Sequence, residues 1–342
     1  MDIQSTMTGE IRQNLVTDRW VIYTPEHAGG ARRMPERRPR AHPPGRDPEC
    51  PFCMGNERML PSILFETPSK EAGLWQTRVV PDKYPVLTAE TEVAGTNRGI
   101  YLVTSNYGRQ EVIIESRFHD RDLPMMTQEE VEAVVETYAA RHSDLYSTDE
   151  SIESVIIFRN HGEQAGAAIL HPHSQVVATG IVPGFVSRRE HIAENYYQQN
   201  RRCVLCDIVD FEESDRARLV YENGSFLSFV PFAAEVPFEV WITPKRHSPD
   251  FGLIATQEKE HFAIALQEAL GRLYEQLHDP DYNYVIHSYS RQNSLVPYLH
   301  WYLQIRPRLT TPSGFEIGSG MQINASWPEQ DAKVLRQEEG YA

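Results

Sequence analysis

Two stretches of the chain repeat apolar residues at intervals of three and four. Val131, Val134, Val135 and Tyr138 follow Thr127-Gln-Glu-Glu130, and Phe262, Leu266, Leu270 and Leu273 follow Thr256-Gln-Glu-Lys259. That spacing puts one apolar stripe on a helix, and a threonine with an acidic residue three positions later, as at Thr127 and Glu130, is a helix-start signal. Around these stretches lie short β-branched runs that read as strands: EVIIESRFH from Glu111, VIIFRNHG from Val155, EVWITPKRH from Glu239 and YVIHSYSR from Tyr284. The polar segment from Pro183 to Arg202 reads as a linker or connecting helix.

The order of these features occurs twice. The shift from His119 to His247 is 128 residues, and those from Thr127 to Thr256, Phe158 to His287 and His171 to His300 are each 129. A near-constant shift across four features predicts a duplicated strand-helix-strand unit. The predicted fold class is α+β, with antiparallel sheets and packed helices, divided into an N-terminal domain, 1–195, and a C-terminal domain, 196–342.

Composition narrows the function classes. At 342 residues the chain is long enough for two cores. Its formal net charge of −15 argues against binding nucleic acid or an anionic membrane, both of which need a positive field. No apolar run reaches the roughly 18 residues of a membrane span, and MDIQSTMTGEIRQ does not read as a secretory leader, so the expected location is the cytoplasm. Between Ala28 and Glu49 the chain carries six arginines and five prolines. This reads as a solvated loop, with Arg32 and Arg33 as the candidates for phosphate contact.

All four cysteines sit in two C-x-x-C pairs, Cys50/Cys53 and Cys203/Cys206. Each pair is followed by two histidines in matching register: His119 and His171 in the first half, His247 and His300 in the second. Two thiolates and two imidazoles suit tetrahedral zinc, and four protein ligands make a structural site. Redox pairs and ordinary core histidines are the alternative readings, and the shared register weighs against both. The expectation is zinc in both sets, with iron an alternative in the second.

The repeat also separates two neighbouring histidines. His171-Pro-His-Ser-Gln175 aligns with His300-Trp-Tyr-Leu-Gln304, so the ligand histidine and the glutamine occur in both halves while His173 is replaced by Tyr302. His173 is therefore the candidate nucleophile: a neutral imidazole can attack phosphorus and form a phosphoramidate. Gln175 can donate to a phosphate oxygen as charge builds up. The alternative is that both histidines of the H-x-H bind one metal, since they share a strand face. The Gly/Ala-rich loop from Asn160 to Ala168, with Gly166, suits close backbone approach to a phosphate or simple turns.

His-Pro-His-Ser-Gln after N-x-G-x-x-x-G, Cys-Pro-x-Cys near the N-terminus and Pro-Lys-x-His in the second half resemble the galactose-1-phosphate uridylyltransferases of the histidine-triad superfamily. So do NLVTDRWVIYTPEH from Asn14 and VVPDKYPVL from Val79. The resemblance runs from about Arg12 to Arg336 and implies two histidine-triad-like domains stapled by zinc, and a homodimer. The reaction it implies is UDP-glucose:hexose-1-phosphate uridylyl transfer by double displacement through nucleotidyl-His173. The partners would be a nucleotide sugar and a sugar 1-phosphate or phosphate. By position, Asn160 would lie beside Gln175 at the phosphate, Arg78, Asp82 and Tyr84 would contact the nucleoside, and Glu316 and Gln322 would read the sugar. The chain departs from that pattern at Ala168, at Thr310 to Ser313, where a basic residue is expected, and at His300-Trp-Tyr302. The last, with Gly-Phe-Glu-Ile-Gly-Ser-Gly, resembles the ADP-glucose phosphorylases, which transfer AMP to phosphate. A third enzyme reading is a dinucleoside polyphosphate phosphorylase or histidine-triad hydrolase, and, from a different class, the chain could be a zinc-stapled nucleotide-binding module without turnover.

Overall fold

The computed structural model describes residues 9–24, 43–91, 94–293 and 295–338. In chain order the strands are β1 (Glu10–Asn14), β2 (Arg19–Tyr23), β3 (Phe65–Pro68), β4 (Trp75–Pro81), β5 (Gly95–Arg98), β6 (Tyr101–Thr104), β7 (Gly108–Ile114), β8 (Ser154–His161), β9 (His173–Thr179), β10 (Leu219–Glu222), β11 (Phe226–Phe229), β12 (Val240–Pro244), β13 (Tyr282–His287), β14 (Tyr302–Pro307) and β15 (Gln322–Asn324). The helices are α1 (Gln128–Thr148), α2 (Gly184–Asn200), α3 (Val204–Asp215), α4 (Thr256–Leu277), α5 (Gly314–Ser319) and α6 (Pro328–Leu335).

Ten strands form one sheet in the order β10-β11-β12-β14-β13-β8-β9-β7-β4-β3, every pairing antiparallel. Read inward from each edge, the two sets of five correspond: β3-β4-β7-β9-β8 against β10-β11-β12-β14-β13. The halves meet where β8 pairs with β13, so the sheet runs unbroken across the repeat. A separate three-stranded sheet joins β1 and β2 to β15, which runs parallel to β2.

α1 and α4 lie against each other on one face of the large sheet, and their predicted stripes are fully used. All eight apolar residues named above are at most 1% exposed and belong to one core cluster. Burial of each such side chain stabilises the fold by about 1.5–3 kcal/mol. Thr127 caps α1 as expected: its hydroxyl accepts from Glu130 N, and Glu130 returns to Thr127 N at 2.7 Å. α4 starts one residue earlier than its motif, with Ala255 at the cap position and Glu258 accepting from its N–H at 2.8 Å. Pro183 to Arg202 is a connecting helix, α2, rather than an open linker. Among the described residues no helix is long and apolar enough to cross a membrane.

The sheet corrects the repeat in two places. Val112 pairs with Gln175 and Trp241 with Gln304, so Glu239 takes the place of Gln110 and not of Glu111. A one-residue slip turns a side chain to the other face. Glu111 faces α1 and holds Arg141 at 2.7 Å, while Glu239 accepts from Gln304 on the opposite face. Similarly, Gln175 pairs with Phe158 but Gln304 with Val285, so His287 corresponds to Asn160. Between equivalent positions the connection is two residues longer in the second half, Val285 to Gln304 against Phe158 to Gln175, which similarity of sequence alone conceals.

Candidate functional site

The face away from α1 and α4 carries both Cys/His sets. Ligand atoms of Cys50, Cys53, His119 and His171 all lie within 4.8 Å of one another, as do those of Cys203, Cys206, His247 and His300. The first cysteine pair sits in a tight turn held by Asn56, whose amide donates to the carbonyls of Asp47, Pro48 and Cys50 at 2.7–3.1 Å. The second straddles the start of α3, with Cys203 at the cap position. His119 and His247 follow β7 and β12; His171 and His300 precede β9 and β14.

The donor chemistry fits a soft tetrahedral cation. His119 and His171 turn Nδ1 towards Cys53 Sγ at 3.4 and 3.6 Å, and His247 and His300 do the same towards Cys206 Sγ at 3.3 and 3.5 Å. The remote Nε2–H of His171 donates to the Ser116 carbonyl at 2.8 Å, and that of His300 to the Pro244 carbonyl at 3.0 Å. Such a bond fixes the tautomer and aims the ligating nitrogen. The Asp47 N–H also points at Cys53 Sγ, at 3.3 Å. Burial pushes the Cys50 thiol up to about 11, so a thiolate there needs a cation in contact.

β9 begins at His173, two residues after the ligand His171. Its alternation sets His173, Gln175 and Val177 on the metal face and buries Ser174, Val176 and Ala178 under α1. His173 donates Nδ1–H to the His171 carbonyl at 2.8 Å, which leaves Nε2 as the lone-pair nitrogen. Burial holds its imidazole below the usual histidine range, so the neutral form prevails near pH 7. Phe52, between the two cysteines, sets its ring 5.3 Å from that of His173. Extending the β8–β9 register brings Asn160 opposite His173.

Gln175 is tied to the candidate nucleoside loop through Gln110. The Gln110 amide donates to Gln175 Oε1 at 3.1 Å and to Asp82 Oδ2 at 2.8 Å, while Asp82 Oδ1 accepts from the N–H of the exposed Tyr84. With its oxygen engaged, Gln175 keeps its amide hydrogens for a ligand. Asn160 Oδ1 accepts from Asn283, which reaches across from β13 and also donates to the Ala165 carbonyl at 2.9 Å. Gly166 adopts a left-handed conformation, φ +86°, as the loop turns back toward Asn160.

Other candidates stand elsewhere. Arg78 is buried, paired with Glu66 at 2.5 Å and Glu57 at 3.5 Å. Glu316 accepts from Ser313 N and Oγ at the start of α5 and from Ile323 N, and Gln322 belongs to β15 in the smaller sheet. Arg32 and Arg33 lie outside the described residues.

The corresponding place in the second half is filled. The Tyr302 ring packs 4.5 Å from Trp241 and 4.7 Å from His287. His287 Nε2–H donates to Gln304 Oε1 at 2.8 Å, and Gln304 donates to Glu239 at 2.6 Å. His287 and Gln304 are thus engaged with each other and with Glu239.

Beneath β9 lies a charged network that no motif announces. Glu115, 1% exposed, pairs with Arg159 at 2.9 Å and accepts from Ser174 and Tyr138; Arg159 also reaches Asp122 and Tyr282. It pins the strand of His173 from behind and joins the two halves. Phe52, Gln110, Asn283 and Glu115 are thus the residues that sequence reasoning missed. Only Phe52 carried a signal, its place inside C-x-x-C.

Comparison with known proteins identifies the family. The family descriptions "Galactose-1-phosphate uridyl transferase, N-terminal domain" and "C-terminal domain" match residues 1–183 and 189–337. An ADP-glucose phosphorylase of Arabidopsis thaliana is 34% identical over 98% of this chain and 95% of its own. A galactose-1-phosphate uridylyltransferase of Thermotoga maritima is 27% identical over 96% and 98%. The crystal structure of an ADP-glucose phosphorylase from Arabidopsis thaliana with bound ADP-glucose superposes with a TM-score of 0.80 at 32% identity, covering 97% of this chain and 99% of that one.

Proposed function

The chain belongs to the galactose-1-phosphate uridyl transferase family, and we propose that it moves a nucleoside monophosphate from a nucleotide sugar to a phosphate acceptor through His173. The observation that carries the reading is the single hydrogen bond from His173 Nδ1–H to the His171 carbonyl, which leaves Nε2 with a lone pair beside Gln175. In the first displacement Nε2 attacks the α-phosphorus, an N–P bond forms, and the P–O bond to the β-phosphate breaks. The sugar 1-phosphate leaves as an anion. The His171 carbonyl stabilises the imidazolium-like character that develops, and the Gln175 amide donates to a non-bridging oxygen. In the second displacement a phosphate oxygen of the acceptor attacks the same phosphorus, and the N–P bond breaks. Both attacking groups arrive with a lone pair, so no general base is required.

The Cys50/Cys53/His119/His171 set would hold zinc, and its second counterpart zinc or iron; the bound metal supplies rigidity, not chemistry. Asp82 and Tyr84 would contact the nucleoside. Two donors are in contention. UDP-glucose with a hexose 1-phosphate is the first reading, and ADP-glucose with phosphate is the second, favoured by the 34% identical relative and by Tyr302. Comparing the two donor–acceptor pairs in one assay separates them.

Two expectations follow from the geometry around His173. The neutral imidazole reacts, and burial depresses its pKa, so adduct formation stays on its plateau below pH 6.5 and is lost only as pH falls through the depressed value. Single-turnover rates from pH 5 to 8 check this; a midpoint at or above 6.5 contradicts it. Phe52→Ala removes the ring against the nucleophile and is expected to slow the first displacement by roughly tenfold to a hundredfold with both metals retained. An unchanged rate would show that Phe52 serves the metal turn alone.

A further inference from the structure

Gln175 and Gln304 stand at equivalent places on β9 and β14, yet they are held in opposite senses. In the first half Gln110, on the adjoining β7, donates to Gln175 Oε1 at 3.1 Å. In the second half the equivalent of Gln110 is Glu239, beside β12, and it accepts from Gln304 Nε2 at 2.6 Å. One neighbour therefore takes the oxygen of its glutamine and the other takes the nitrogen. A carboxamide has an acceptor end and a donor end, so the end that is taken decides which one is left over.

Each sense is fixed by groups that can only donate or only accept. Asp82 Oδ2 accepts from Gln110 Nε2 at 2.8 Å, and the Val86 N–H donates to Gln110 Oε1 at 3.1 Å. Both partners belong to the candidate nucleoside loop, and together they settle which end of Gln110 is nitrogen and so can reach Gln175. In the second half the Trp241 indole N–H donates to Glu239 Oε1 at 2.7 Å and the Glu235 N–H to Oε2 at 2.8 Å. Both oxygens of Glu239 thus act as acceptors, and Gln304 meets them with its nitrogen while its oxygen turns to His287. Gln175, with its oxygen engaged, keeps its N–H groups on the strand face that carries His173.

We propose that Gln110 is a positioning residue for nucleotidyl transfer: by donating to Gln175 Oε1 it holds the Gln175 amide with its N–H groups toward the phosphate. Asp82 and Val86 pass that orientation to it from the nucleoside loop. The proposal rests on the reading that Gln175 donates to a phosphate oxygen during transfer through His173.

The test measures the first displacement in single turnovers on the metal-loaded full chain, with whichever of UDP-glucose and ADP-glucose labels the parent. Gln110→Glu puts an acceptor where Glu239 has one, so it should turn the Gln175 oxygen toward the phosphate and slow the step by roughly a hundredfold. Gln110→Met, similar in length and uncharged, releases the amide without reversing it and should cost only about threefold to tenfold. Both losses should lie in the rate at saturating nucleotide sugar. In a Gln175→Ala background each change should alter the rate by less than about twofold, because the group through which Gln110 acts is gone. Harm done through the added charge or through the loop at Asp82 would persist in that background. A parental rate in Gln110→Glu, a loss in Gln110→Met as large as that in Gln110→Glu, a loss confined to the half-saturating concentration, or an undiminished loss without Gln175 would each overturn the proposal alone. A parent that forms no nucleotidyl adduct would remove the transfer reading and this proposal with it.

Discussion

Replacing His173 by glycine is expected to abolish the covalent nucleotidyl adduct and to lower steady-state transfer by on the order of 10⁴-fold or more, the scale seen when a catalytic nucleophile is removed. The fold should tolerate the change. His173 is half-buried at the start of β9, its one hydrogen bond is to the carbonyl two residues earlier, and the strand is held by β7 and β8. Asn160, Gln175 and the nucleoside loop stay in place, so the variant should still bind the nucleotide sugar. Added imidazole fits the space left and is expected to restore part of the rate by taking the nucleotidyl group itself. Substrate titration and single-turnover mass measurements on the variant check both statements. A variant that keeps its adduct would place the nucleophile elsewhere and remove the central role of this strand.

The second large effect is expected at the first metal set. Cys53 is the sulfur that both His119 and His171 approach, and it is 2% exposed. Cys53→Ser exchanges a soft thiolate for a hard hydroxyl, and metal content should fall from two per chain to one. The loss should cost several kcal/mol, about 10 °C in Tm for a unit of this size. Activity should fall further than stability explains, because His171 offers the carbonyl that orients His173. Cys206→Ser makes the comparison: it too should cost one metal and a similar fall in Tm, yet leave adduct formation close to the parent rate, since Tyr302 stands where His173 would be. Elemental analysis, thermal unfolding and single-turnover rates on the two variants decide this. Equal kinetic damage from both would mean that the first set acts on the whole fold rather than on the nucleophile.

What was legible in the chain was what local spacing encodes. The stripes from Val131 and Phe262 marked α1 and α4 because a helix repeats its face every three to four residues. The two ligand sets emerged because histidines and cysteines recur in register, and His173 stood out because its counterpart is a tyrosine. The register of the sheet was less accessible. Glu111 and Glu239 look equivalent in sequence, yet a one-residue difference turns them to opposite faces, and His287 takes the place of Asn160 rather than Phe158. Partners far apart along the chain left no signal at all. Glu115, Asp122 and Arg159 are ordinary charged residues until the fold buries them behind Ser174, where a bare charge would be expensive. Gln110 and Asn283 act through side chains that meet only because β7 lies beside β9 and β13 beside β8.

The central claim is that His173 carries the nucleotidyl group, and intact-protein mass tests it most directly. Metal-loaded protein is incubated with UDP-glucose and, separately, ADP-glucose, without acceptor and at mildly alkaline pH because a phosphoramidate is acid-labile. The account predicts a mass increase of one nucleoside monophosphate: UMP that disappears on adding a hexose 1-phosphate, or AMP that disappears on adding phosphate. The same increase must be absent from His173→Gly. No adduct with either nucleotide sugar in protein shown to carry its metals, or an adduct that survives the loss of His173, would contradict it.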